Sequence, residues 1–281
     1  MIEARELADF LAGRFGLAII AESRHVSNGQ SLLIRPCGVE HTIGFTIEIV
    51  VGWRSLEAEF KLGLFAANLV NSMRTASPEQ RSAFRTFAAS ITGAGASLPF
   101  LINGARADPV DTKTWPESWD SLELKMRKGA LVLESDKPIE TKNTVFLWTA
   151  RVVGLALSLL PLEAVDEREL YSMNGVKEGK VTYETVKKYE RSRINRAACI
   201  EIQGVDCKVC GMTFCDKYGT VGGGFIHVHH VEPVSLLGGD YVIDPAVDLV
   251  PVCPNCHAML HKKSPPYTIE EMRSIIAKNL H

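Results

Sequence analysis

Two pairs of cysteines carry the clearest chemistry in the chain, Cys207-x-x-Cys210 and Cys253-x-x-Cys256. Each pair presents two thiolates on a short turn, which is half of a tetrahedral zinc site. Four soft ligands leave no open position, so a Zn²⁺ ion held there is structural and pins the start of a module to the segment before its last helix. The chain has seven cysteines and no secretory signal ahead of them, which favours metal over disulfides. Cys199 and Cys215 read as ordinary buried thiols, with Cys215 open as a substitute for one ligand.

Between the two pairs runs Gly222-Gly223-Gly224-Phe225-Ile226-His227-Val228-His229-His230-Val231-Glu232-Pro233, an apolar-alternating strand ending in adjacent histidines. Neighbours on a strand point to opposite faces, so His229 and His230 can do different jobs, one holding a metal and one reaching the substrate side as a base. Downstream, Asp248 to His261 reads as a loop leading into a helix, on which His257 and His261 share a face. Hydrolysis of a phosphodiester needs an activated water in line with the leaving oxygen and a cation to offset charge on the phosphate. A neutral imidazole is poised near physiological pH to take the proton from water. Any one of these histidines alone would be an extra zinc ligand or a satisfied core residue; four in this arrangement point to a site.

The runs V-x-C-x-x-C, G-F-I-H-V-H-H-V-x-P-x-S and D-P-x-x-D-L-V-P-V-C-P-N-C-H-A-M-L-H resemble the HNH, or ββα-metal, nuclease family, over Arg191 to His281. The resemblance is greatest to the zinc-knuckle branch found in McrA-like, modification-dependent restriction endonucleases. It implies a β-hairpin from His227 to about Val250 and a helix starting near Pro254. It implies His229 as a ligand of the catalytic ion, His230 as the general base, His257 as the second ligand, and His261 as a further ligand or a phosphate contact. The family's central asparagine, which orients the loop holding the base, falls at Asp248, nine residues before His257. An aspartate accepts hydrogen bonds there but cannot donate, and Asn255 is the competing candidate. Histidine ligands tolerate Mg²⁺ or Mn²⁺, and Co²⁺, Ni²⁺ or Zn²⁺ as well.

The elements that must position this site follow a longer region. At 281 residues the chain is expected to form two domains. The resulting class is α+β: an N-terminal domain over 1–162, a linker with a basic helix over 163–190, and the nuclease domain over 191–281. In the first domain the pattern predicts a helix over residues 1 to 16, then antiparallel strands over Leu17 to Ala21, Ser31 to Arg35 and Thr42 to Val51. Leu56 to Met73 and Pro78 to Ile91 show helical spacing, with Ser77 as N-cap and Pro78 at the first helical position. Strands are expected at Leu98 to Ile102, Ser121 to Arg127 and Ala130 to Glu134, the last two joined by a Lys128-Gly129 turn. Lys142 to Leu160 closes the domain as a helix. The apolar stretch Thr144 to Leu162 contains Arg151 and ends at Pro161, so a buried core helix is expected rather than a membrane span.

Apolar residues make up 46% and charged residues 23% of the chain, which excludes general disorder. The N-terminal segment lacks an uninterrupted apolar stretch and a cleavage site, so a cytoplasmic protein without membrane attachment is expected. Net charge is −2, against the positive balance common in nucleic-acid binders. Basic residues nevertheless gather at Lys177, Lys180, Lys187, Lys188, Arg191, Arg193 and Arg196, among Glu178, Glu184 and Glu190. A solvated helix face and a phosphate-binding surface both fit; on the second, Lys187, Lys188, Arg191, Arg193 and Arg196 contact DNA. The expected partner is DNA, with methylated or hydroxymethylated bases as the analogy suggests, and base recognition would reside in the first domain. Trp53, Trp115 and Trp119 are its candidates for stacking on a base, against the commoner role of tryptophan in a core. Double-strand cleavage from a single site suggests a homodimer.

Overall fold

A computed structural model describes residues 1–27, 29–133, 138–160, 192–232, 241–263 and 265–279. The basic residues Lys177 to Arg191, and with them the expected linker, lie outside the described residues.

The first unit is built on a sheet in the order β1-β2-β3-β4-β7-β5-β6, every pair antiparallel. Strands β1 (Ile19–Val26), β2 (Gly29–Pro36), β3 (Phe45–Val51) and β4 (Leu56–Leu62) form a meander. After two helices the chain returns as β5 (Phe100–Ile102), β6 (Ala105–Arg106) and β7 (Leu122–Lys128). On one face lie helices α1 (Ala4–Phe15), α2 (Ala67–Arg74), α3 (Pro78–Gly93) and α4 (Pro138–Ser158). Alternation sets the faces: Phe45, Ile47 and Ile49 on β3 and Leu56, Ala58 and Phe60 on β4 turn inward. The opposite face is a lattice of charges, with Lys125 3.1 Å from Glu59, Arg127 3.0 Å from Glu57, and Arg35 bound to Glu22.

Helix α3 begins as the pattern predicts. Ser77 accepts a hydrogen bond from the Gln80 N–H, and the Gln80 side chain accepts one from the Ser77 N–H at 2.8 Å, a closed capping box ahead of Pro78. From Val145 on, helix α4 is buried nearly all round, as expected for a core helix, and no helix among the described residues is long and apolar enough to cross a membrane. Gly154 lets α3 and α4 approach: a Cβ there would stand 2.4 Å from the Phe87 ring.

Two expectations are corrected. Leu56 to Met73 is not one helix, because residues 56–62 are strand β4 and the helix covers only Ala67–Arg74. The apolar positions Leu56, Ala58 and Phe60 have period two, and their pairing with β3 decides the outcome. Nor do Ala130 to Leu133 form a strand returning along β7. Both edges of β7 are already taken, by β4 and β5, and Ala130 adopts φ 55°.

The second unit contains helix α5 (Arg193–Gln203), the short helix α6 (Phe214–Tyr218), a hairpin of β8 (His227–His230) and β9 (Leu249–Val252), and helices α7 (Pro254–Leu260) and α8 (Ile269–Asn279). Its core gathers Val209, Ile226, Val228, Leu249, Val252, Leu260 and Met272 with the cysteines. Helix α5 serves both units: Ile194, Ala197 and Ala198 enter the large core, while Cys199 and Ile200 enter the small one. Burial pushes the Cys199 thiol up to about 12, the behaviour of an inert core residue.

Candidate active site

The cysteine site is assembled from two turns. Cys207 follows α5, and its turn is closed by Gly211 N–H donating to the Cys207 carbonyl and Cys207 N–H to Met212. Cys253 caps α7, its sulfur accepting from the Cys256 N–H. The backbone N–H of Lys208 donates to Pro251, tying the two turns together. The four sulfurs lie within 4.8 Å of one another, and those of Cys210 and Cys253 are 3.9 Å apart. Vertices of a tetrahedron with metal–sulfur bonds of about 2.3 Å stand roughly 3.8 Å apart, so the donor set and spacing fit a structural zinc ion. Burial pushes the Cys253 and Cys256 thiols up; burial acts likewise on Cys207, but backbone donors at Cys210, Cys253 and Val209 bring it below its usual value. A bound dication supplies the charge that makes thiolates favourable in such a place. Cys215 is exposed on α6 and stands outside the cluster.

The histidines come together through the hairpin register. His229 pairs with Val250 and His230 with Leu249, and two residues beyond β9 the chain enters α7, which carries His257. Ligand atoms of His229, His257 and His261 lie within 4.8 Å of one another. Ring centroids are 5.2 Å apart for His229 and His257, 4.9 Å for His229 and His261, and 5.1 Å for His257 and His261. His229 is buried, His257 half-buried and His261 exposed, so the cluster opens toward solvent on one side. His230 stands outside this cluster, on the alternate face of the strand.

Asp248 anchors the strand end beside His230. Its carbonyl accepts from the Val231 N–H at 2.9 Å, and its carboxylate accepts from the Asp244 N–H at 2.7 Å and from the Tyr241 hydroxyl at 3.0 Å. The hydrogen bond to Asp248 raises the Tyr241 phenol above its ordinary value. In each of its side-chain hydrogen bonds Asp248 is the acceptor, a role an aspartate fills as well as an asparagine. Asn255 is exposed on the first turn of α7.

The described members of the basic stretch face inward. Arg193 donates to the Gly16 carbonyl, and Arg196 donates at 2.7 Å to that of Ile226, the residue before β8. Exposed lysines nearer the histidines are Lys262 and Lys263, directly after His261. Of the three tryptophans considered for base stacking, Trp115 and Trp119 are core residues, 7% and 1% exposed, and Trp53 is 81% exposed in the β3–β4 turn. The Arg54 guanidinium lies 5.9 Å from the Trp53 ring centroid.

Two participants have no representative among the expected site residues. Tyr241 carries no motif that announces it. Glu201 is the second: with its side chain 4% exposed, it holds Arg14 at 2.9 Å, Arg151 at 2.6 Å and the Ser90 hydroxyl at 2.9 Å. It joins α1, α3 and α4 to α5.

A short hairpin and helix converging on histidines, beside a four-cysteine cluster, define a small metal-binding module of the nuclease or DNA-binding class. Residues 207–263 match the family model of the HNH endonuclease, a span well under half of the chain, so the chain carries a C-terminal HNH domain with a four-cysteine cluster. Searches of the curated proteins and of the solved structures returned no match.

Proposed function

We propose that the protein is a DNA endonuclease in which the HNH domain hydrolyses the phosphodiester bond. The observation that carries this reading is the division of the histidines: three converge within 4.8 Å, while His230, adjacent to one of them in sequence, is excluded from the cluster. His229, His257 and His261 would hold a divalent cation, and three neutral imidazole donors suit a transition ion such as Mn²⁺, Co²⁺, Ni²⁺ or Zn²⁺ better than Mg²⁺, which prefers oxygen ligands. When bound, such an ion offsets charge on the scissile phosphate and the leaving 3′ oxygen. A ring nitrogen of His230 takes the proton of the attacking water as its oxygen bonds to phosphorus and the bond to the 3′ oxygen breaks. Asp248 holds the strand end that presents His230. Lys262 and Lys263 offer phosphate contacts next to the site.

The first unit is proposed to choose the DNA. A nuclease domain that grips the backbone has little base preference of its own, and by analogy with modification-dependent restriction enzymes the substrate would be methylated or hydroxymethylated foreign DNA. Trp53 beside Arg54 is the tryptophan exposed enough to stack on a base. The charged face of the sheet is a poorer surface, since its cations are matched by carboxylates.

The test is cleavage of one plasmid prepared unmodified, cytosine-methylated and hydroxymethylated, by wild type and His230→Ala with Mg²⁺ or Mn²⁺. Loss of general-base catalysis typically lowers the rate by about 10²–10⁴-fold, so the variant should bind DNA but not cut. Cutting restricted to modified plasmid supports the restriction reading, and equal cutting of all three removes base recognition. If wild type binds DNA and cuts nothing, the module is a zinc-dependent DNA-binding element instead.

A further inference from the structure

His227 is not one of the three clustered histidines, yet its Nδ1 lies 3.0 Å from Nδ1 of His257. The two rings meet nearly at right angles, 87°, with centroids 5.2 Å apart. Strand β8 explains the contact. His227 and His229 share a face by alternation, and His227 pairs with Val252, the last residue of β9 before the turn into α7. The ring of Phe225 abuts His227 at 6.0 Å between centroids and itself packs against Phe214 at 4.7 Å. His227 therefore stands between a fixed aromatic wall and one member of the triad.

We propose that His227 is a positioning residue: it accepts a hydrogen bond from Nδ1–H of His257 and thereby fixes the tautomer and ring plane in which His257 offers Nε2 to a divalent cation. The inference rests on the reading that the triad holds such an ion. Two nitrogens 3.0 Å apart can share only one proton, so one ring donates and the other accepts. If His227 donated, the neutral His257 would carry its remaining proton on Nε2 and have no lone pair for a metal. If His257 donates, its Nε2 lone pair is available and its basicity rises, the arrangement by which a neighbour beyond the ligands tunes a metal-bound histidine. The usual acceptor in that place is a carboxylate or a backbone carbonyl; here it is a second imidazole. The exclusion of His227 from the cluster separates this role from that of a fourth ligand.

The experiment is calorimetric titration of Mn²⁺ or Co²⁺ into full-length protein whose cysteine site is already zinc-loaded, comparing wild type, His227→Leu and His227→Asn. The asparagine can place its Oδ1 where Nδ1 of His227 stands. Loss of such an outer partner typically weakens metal binding by about 10–100-fold. His227→Leu should fall in that range, His227→Asn should recover most of the affinity, and both should retain one zinc per chain as evidence of folding. The Co²⁺ ligand-field spectrum should keep its shape in both variants. Long-range ¹H–¹⁵N correlation with Zn²⁺ in the triad should show the His257 proton on Nδ1. Unchanged affinity in His227→Leu, a His257 proton on Nε2, or a changed Co²⁺ coordination number overturns the proposal. A wild-type protein that takes up no second metal overturns the cation reading, and the proposal with it.

Discussion

The two units are held by different physics. The large one closes over a sheet and helices whose fully buried side chains include Trp119, Phe84, Phe87 and Phe100, each worth about 1.5–3 kcal/mol relative to exposure. The small one rests on two four-residue strands and a seven-residue helix, with cysteines occupying much of its core. A lone two-stranded hairpin is marginal in water, so a metal held by the four cysteines would take the place that apolar area takes in the other unit. The region proposed to perform chemistry is thus the one whose shape would be conditional on a metal.

The sharpest way to break this comparison is to strip the metal. Chelation at neutral pH, or Cys253→Ser, should collapse the hairpin and abolish cleavage while leaving the large unit folded. The sequence provides separate reporters, because all four tryptophans lie between residues 53 and 148 and all six tyrosines between 171 and 267. Tryptophan emission should hold as tyrosine signals and amide protection in the small unit vanish; a tryptophan spectrum that shifts with zinc loss would show a single cooperative body.

A smaller effect tests the seam. Glu201→Gln leaves Arg14, with its side chain only 10% exposed, lacking the anion that offsets its burial. Removing one partner of a buried pair costs about 3–5 kcal/mol, taken here at the lower end because Arg151 is partly exposed. In denaturant, the tryptophan transition and zinc release should both move to lower concentration. Movement of one alone would mean that Glu201 supports only that unit and does not seat α5 for both.

The smallest effect concerns the outer face of the sheet. Hydrogen bonds from Lys61 and Ser31 hold Glu48 below the usual carboxylate range. A carboxyl lowered in the folded state contributes above its unfolded value, about 4.3, and that contribution is lost as pH falls through the folded one. The pair is partly solvent-exposed and screened, so Glu48→Gln should cost under about 1 kcal/mol at pH 7. The difference from wild type, followed by urea unfolding, should vanish as pH drops below the lowered value.

What could be read beforehand follows the range of the signal. The cysteine pairs, His229, His230, His257 and His261, and the Ser77–Pro78 helix start are local patterns, and local patterns survive folding. Strand β4 was obscured because Leu56, Ala58 and Phe60 run almost directly into a true helix, and tertiary pairing with β3 chose between the two periods. Ala130 to Leu133 had the composition of a strand but no free edge to join. Glu201 lies 187 residues from Arg14 and 111 from Ser90, distances at which no spacing rule operates. His227 was within reach, since alternation alone puts it beside His229, but adjacent histidines draw attention to each other rather than to the residue two places back.

Helix α5 bears on how this protein can be rearranged. A junction placed at residue 191 looks natural on sequence, yet a graft of everything after it would carry Ile194, Ala197 and Ala198 out of the core that covers them, along with a carboxylate made for two guanidiniums. The transplanted domain would arrive with an apolar stripe seeking a new host. Any exchange of the first unit, in the laboratory or in the history of the chain, has to preserve a landing site for that helix or rebuild its exposed side.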